Sequence, residues 1–328
     1  MITGLTRELS HKISTNLLAL EADKAAYSPA TMSMVNHCWE RWLDYCKESS
    51  INPLPVDIDL LRGYLRRLSR TLCVSSITSH LHAINFIQRN ADLPSLTQNE
   101  RITRLLKILR KEAVEKRETI DQALPMRLGD LRLLVALYDD KAVLQKQRDI
   151  ALLVVAYHTL LREAEVSRLK VADIQDGEKG TGAVFVGRTK TSLSAEGEYR
   201  ALSRWGLRIV RDWIAAANLE PDDYLFCKVS KDNKPIKATK PITGVAIDGI
   251  FRRAYLALGN EPLDTPRYAT WTGHSARVGA ALDMAANGIP VHQIMQAGGW
   301  KSPSMVMRYI RKLELADSAM IRLTEGQE

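Results

Sequence analysis

Seven side chains of this sequence have the types needed to hold a phosphodiester while a tyrosine oxygen attacks its phosphorus. They are Arg162 and Glu165 in LLREAE, Lys190 in GRTKT, His274 and Arg277 in GHSAR, Trp300 after two glycines, and Tyr309 in MRYIRK. Together they offer two guanidiniums, an imidazole, an ammonium, an indole N–H and a phenol. Cations and N–H donors suit the oxygens of a phosphate, and the phenol supplies a nucleophile. No metal-ligand spacing accompanies them, so no metal and no cofactor is expected.

Spacing sharpens the reading without closing it. Arg162 and Glu165 are three apart and share a helix face, which equally suits a surface ion pair. They follow the apolar run ALLVVAYHTLL, so Arg162 emerges at the mouth of a buried helix. His274 and Arg277 are also three apart, where a helix start would aim free N–H groups at an anion. A lone histidine there is also an ordinary structural donor. Tyr309 is flanked by Arg308, Arg311 and Lys312. A free phenol titrates near ~10, so its attack needs an electropositive pocket or a base. Tyr309 and Trp300 also have plain readings as packing residues.

The elements that must position these groups fall into two regions. The chain has 328 residues, long for one core. Helical periodicity over Pro29–Lys47, Ile58–Leu68, Val74–Gln88 and Ile102–Lys116 predicts an all-helical domain over residues 1–117, with 1–22 flexible. Residues 118–126 break the pattern and read as a linker. Residues 127–328 predict helices near Arg127–Tyr138, Lys146–Leu161, Trp205–Ala217, Ala246–Leu258, Ser275–Asn287 and Pro290–Ala297. Strand formers at Ala183–Gly187 pair with Tyr199–Leu202 across a loop that holds Lys190. Ser302-Pro303 caps and opens a helix carrying Tyr309. An amphipathic tail follows at 313–323.

Net charge is +8, with 46 Lys and Arg against 38 Asp and Glu, a balance compatible with a nucleic-acid partner. Arg62, Arg66, Arg67 and Arg70 cluster without an intervening acid, and Arg101 to Arg117 holds seven bases. Both suit a phosphate-tracking face or merely a solvated one. Cys38, Cys46, Cys73 and Cys227 are too scattered for zinc or a disulfide framework, and imply a reducing cytoplasm. No apolar run spans a bilayer and no signal peptide opens the chain.

Taken in order, LLREAE, GRTKT, WTGHSARVGAA, IMQAGGW and VMRYIRKLE resemble the signature blocks of the tyrosine site-specific recombinases, the phage-integrase family, in its Cre-like branch. The likeness continues more loosely into AYSPAT, WERWLDYCK and ITSHLHAINFIQR. It implies a mainly α fold with a small antiparallel β-sheet in the C-terminal domain, forming a two-domain, C-shaped DNA clamp. The catalytic positions map onto Arg162, Glu165, Lys190, His274, Arg277, Trp300 and Tyr309, with Tyr309 the nucleophile and Lys190 the acid. The resemblance further implies DNA contacts from Thr31, Ser33, Met34, Ser75, Ser76, Ser79, Val245 and Asp248. Val245 stands where the branch has a base-reading arginine, so a different target sequence is expected. The implied partners are double-stranded DNA and three further copies of the chain, a homotetramer linked by the 313–323 helix. The setting is the nucleoid of a prokaryote, phage or plasmid host. A type IB topoisomerase and a catalytically silent DNA-binding module are the alternatives.

Overall fold

The structure is a computed structural model that describes residues 6–116, 122–187, 197–265 and 268–316, with side chains through residue 310. The chain divides into two compact units, Met1–Ile120 and Asp121–Glu328.

Among its described residues the first unit contains five α-helices: α1 (Arg7–Ala22), α2 (Pro29–Glu48), α3 (Ile58–Leu68), α4 (Val74–Asn90) and α5 (Glu100–Glu115). Side-chain caps fix most of their starts. Thr6 accepts from Leu9 N–H, Ser28 from Thr31, Asp57 from Leu60 and Asn99 from Arg101, each satisfying a donor the helix leaves free. Residues 7–22, expected to be flexible, are instead helical. Ile13 is buried, and Leu9, Leu17 and Leu20 pack on the same core, an apolar stripe at helical spacing. Trp42, Leu61, Leu65, Ile77, Leu81, Ile84 and Ile102 form the center of that core. Two buried amides serve its loops: Gln88 accepts from Val56 N–H (3.1 Å) and donates to the Pro94 carbonyl (3.2 Å), while Asn85 accepts from Leu96 N–H (2.7 Å).

The second unit begins with α6 (Leu128–Leu137) and α7 (Leu144–Thr159), then a one-turn α8 (Glu163–Val166). A three-stranded antiparallel sheet follows, β1 (Ile174–Asp176), β2 (Gly182–Val186) and β3 (Glu198–Leu202), in the order β1-β2-β3. Val184 lies opposite both Ile174 and Arg200. Next come α9 (Arg204–Ala216), a hairpin of β4 (Lys228–Val229) and β5 (Pro235–Ile236), α10 (Gly244–Ala257), α11 (Ser275–Ala286), α12 (Val291–Gly298) and α13 (Pro303–Ala316). β1, the β4–β5 hairpin and α8 are absent from the periodicity reading because two to four residues establish no period.

Helix α7 is buried on all sides from Ile150 to Tyr157, as an evenly apolar helix must be. It packs against α6, α9, α11 and β3. Segment 125–128 is strapped onto α11. Met126 N–H donates to the Ser275 carbonyl (3.0 Å), Trp271 Nε1 to the Pro125 carbonyl (3.2 Å), and Arg127 Nε to Asp283 (2.6 Å). Gly279 is obligatory in this strap, since a Cβ there would overlap the Met126 carbonyl. Residues 118–121 of the expected linker lie outside the described residues, as does the tail beyond Ala316. Among the described residues no helix is long and apolar enough to cross a membrane, and no cluster of three or more His, Cys, Asp or Glu could hold a metal ion.

Candidate active site

The site is built where α7 ends. Leu160 takes a left-handed conformation (φ 51°, ψ 24°) that stops the helix and turns Arg162 outward. Glu165 then completes the next helical start from within: its carboxylate accepts Arg162 N–H (2.8 Å) and Arg162 Nη1 (2.9 Å). An arginine has no acceptor for the reciprocal half of a capping box, so the motif is one-sided. The surface-pair alternative fails, because the Glu165 side chain is only 6% exposed.

Arg277 enters from α11 and is 3% exposed. Its guanidinium donates to the Leu160 carbonyl and, at 2.9 Å, to the Gly298 carbonyl. It lies over the Trp300 ring, 4.1 Å from the centroid. Burial, with Arg162 nearby, pushes Arg277 down to about 10, whereas Tyr309 and Glu165 oppose the fall. That value leaves it a cation at neutral pH. Tyr309 is half-buried on α13, its ring 5.6 Å from that of Trp300 and inclined by 48°. The indole Nε1 of Trp300 is buried and has no hydrogen-bond partner. The structure therefore brings Arg162, Glu165, Arg277, Trp300 and Tyr309 together: a phenol beside a fixed guanidinium and an unused N–H donor.

His274 occupies the N-cap position of α11 without a side-chain cap bond, its side chain exposed, while Arg277 faces inward. The expectation that this helix start offers free N–H groups is met only in part, because its first donors are already engaged. Gly273 N–H donates to Asp248 Oδ1 (2.8 Å), His274 N–H to Thr272 Oγ1 (3.4 Å) and Ser275 N–H to the Thr272 carbonyl (2.8 Å). Asp248, singled out for DNA contact, thus anchors the residue that precedes His274. Glu163 sits against the same glycine, where a Cβ would meet its side chain at 2.9 Å. Burial and the neighbouring Asp248 raise the Glu163 pKa. A separation of 25 residues hid the Asp248–Gly273 link from sequence patterns. Lys190 lies outside the described residues.

On α10, Val245 is 83% exposed. On α2, Ser33 and Met34 are exposed, but the Thr31 hydroxyl is engaged by Ser28 (2.8 Å). On α4, the Ser75 and Ser76 hydroxyls meet the Cys73 thiol (3.1 and 3.2 Å), and the Ser79 hydroxyl donates to the Ser75 carbonyl (3.1 Å). The basic cluster acquires acids from other helices: Arg66 pairs with Glu112 (2.7 Å), Arg67 with Glu48, and Arg101 with Asp59.

A half-buried tyrosine beside a tryptophan that an immobilised arginine covers, inside an α-rich unit, defines a class, and residues 130–315 match the phage integrase family. The chain belongs to that family of tyrosine recombinases. It is 36% identical over 321 residues to recombinase cre of Escherichia phage P1, covering 96% of this chain and 94% of that protein. An integrase/recombinase xerD homolog of Selenomonas ruminantium is 21% identical over 297 residues, covering 87% and 82%. Among solved structures, the Tn1549 transposon integrase in complex with circular intermediate DNA has a TM-score of 0.62 at 13% identity, covering 91% of this chain and 94% of that one. XerH bound to palindromic difH substrate gives 0.54 at 15%, covering 81% and 70%. The last two likenesses are of fold.

Proposed function

We propose that this chain is a site-specific DNA recombinase in which Tyr309 attacks a scissile phosphate. The observation that carries the reading is the Tyr309 ring set against Trp300, whose face the buried Arg277 guanidinium covers and whose Nε1 has no partner. As the Tyr309 oxygen bonds to phosphorus, the bond to the 5′-oxygen breaks, leaving a 3′-phosphotyrosyl enzyme and a free 5′-hydroxyl. Arg162, Arg277, His274 and the Trp300 N–H stabilise the charge gathering on the non-bridging oxygens. Donors fixed in advance are worth about 3–4 kcal/mol each to such a transition state. Lys190 protonates the departing 5′-oxygen, His274 helps receive the phenolic proton, and Glu165 holds Arg162 in line. The phosphotyrosyl ester keeps the bond energy, so a 5′-hydroxyl from a second duplex reseals the strand without ATP.

In this reading the DNA partner is a duplex with inverted repeats. Helices α2 and α4 lie over its major groove, with Thr31, Ser33, Met34, Ser75, Ser76 and Ser79 on the DNA side. α10 offers Val245, with Asp248 behind it. Four copies assemble on two duplexes through residues 313–323, at the nucleoid of a prokaryotic, phage or plasmid host. An apolar Val245 favours a thymine methyl over a guanine edge at its position.

The test is covalent capture. Wild-type protein is incubated with a library of nicked duplexes carrying randomised inverted repeats, and the adduct is digested for mass spectrometry. A nucleotide on Tyr309, lost in Tyr309→Phe, is expected; a nucleotide on another side chain, or no adduct at all, overturns the reading. A plasmid bearing two captured sites should then yield a deletion product, whereas topoisomers alone would make the enzyme a relaxing one.

A further inference from the structure

A second guanidinium lies on the far side of the Trp300 turn, and the chemistry above does not use it. Arg200 stands on β3 with its side chain 10% exposed. It donates to the Glu198 carboxylate and to the Tyr199 carbonyl (3.3 Å), and its Nε is buried without a partner. An arginine so enclosed carries a desolvation cost, partly offset by Glu198. Its location explains what the cost secures. A Cβ built on Gly299 would overlap Arg200 Nη2, so the guanidinium fills the space beside that glycine. Gly299 itself is left-handed (φ 62°, ψ 36°), ending α12 and setting the direction in which Trp300 leaves. On the other side of the same turn, Gly298 gives its carbonyl to Arg277, and Arg277 covers the Trp300 ring. Two arginines separated by 77 positions thus clasp a three-residue turn, Gly298 to Trp300, between β3 and α11.

We propose that Arg200, held by Glu198, is a positioning residue for the phosphate site: it fixes the Gly299 turn and so aims the Trp300 indole N–H. The proposal rests on the recombinase reading for its consequence in catalysis, but not for its geometry. Displacement of a donor by a fraction of an ångström weakens it only where charge develops, so the loss belongs to the cleavage step and not to binding.

Two measurements on the full-length protein test it. The first needs no DNA. In protein labelled with 15N at the indole nitrogens, the Trp300 resonance is assigned by its disappearance in Trp300→Phe. Arg200→Ala and the milder Glu198→Gln should both shift that resonance while leaving those of Trp39, Trp42 and Trp213 unmoved; an unmoved Trp300 resonance overturns the proposal. The second uses a nicked duplex from the covalent capture. At saturating DNA, Arg200→Ala should cleave about tenfold more slowly with unchanged affinity, and Arg200→Lys should recover part of the loss. In a Trp300→Phe background, Arg200→Ala should add less than about twofold, because both changes remove the same donor. Full additivity, a loss confined to affinity, or a wild-type rate in Arg200→Ala each overturns the proposal. If wild-type protein captures no DNA, the recombinase reading falls, and the indole spectrum still decides what Arg200 holds.

Discussion

Two sets of arginines occupy this chain, and they are built differently. Around Tyr309, Arg277 is buried and spends its donors on the carbonyls of Leu160 and Gly298, while Arg162 is braced by an almost fully buried Glu165. In the first unit, Arg62, Arg66, Arg67 and Arg101 keep 39–56% of their side-chain surface, and their partners are acids from solvent-facing positions. Exposed pairs of that kind contribute about 0–1 kcal/mol and exchange readily. The inner set stores geometry, and the outer set offers charge that can change partners. A reaction at one phosphorus needs the former, and a grip on a backbone of repeating phosphates needs only the latter.

The comparison breaks first at Tyr309. Tyr309→Phe should retain DNA affinity within about twofold yet form no covalent adduct on a denaturing gel; weakened binding would make the phenol part of the grip. Arg277→Ala should slow single-turnover cleavage by about 10²–10³-fold, with little recovery in Arg277→Lys, which lacks the planar fork reaching two carbonyls. Because burial lowers Arg277 to about 10 in the folded chain, the unfolded chain holds that proton to higher pH. Its contribution to stability therefore grows as pH rises past about 10. Urea denaturation of wild type and Arg277→Met at pH 9 and pH 11 checks that sign.

Gly279→Ala asks whether the inner set depends on its strap. Overpacking against the Met126 carbonyl should cost about 1–3 kcal/mol, read as a lowered Tm and a slower cleavage step. An unchanged Tm would mean that the 125–128 segment yields. The smallest effects belong to the outer set. Arg66→Ala should change stability by less than about 1 kcal/mol and reduce the salt slope of DNA binding by about one counterion. Glu112→Gln, which releases Arg66, should tighten binding. An altered sequence preference in either would move Arg66 into base reading.

How legible this was from sequence depends on range. Ile58–Leu68 matches the expected helix end for end, since an Asp57 cap and a clean apolar stripe are local signals. α1 carries the same signals at Thr6, Leu9, Ile13 and Leu17, but its interspersed Arg7, Glu8 and Lys12 masked them. The Arg162–Glu165 pair was readable at three residues' spacing, and the GHSAR and GGW blocks supplied Arg277 and Trp300 by type. What holds them was not readable. Asp248 on Gly273, Leu160 and Gly298 as acceptors, and the acids opposing Arg66 and Arg101 are contacts between residues distant in sequence, made by folding alone. Basic patches look freer in sequence than in space for the same reason.

The strap of residues 125–128 sets a practical limit on dissecting the chain. A fragment beginning at Leu128 would strip the acceptor from the Trp271 indole, the donor from the Ser275 carbonyl and the Arg127 clasp from Asp283, contacts that flank Arg277 on both sides. A fragment beginning at Gln122 keeps all three. The shortest autonomous catalytic piece therefore starts several residues before its first helix, and a protease cut at Met126 should silence the enzyme even though every reactive side chain survives.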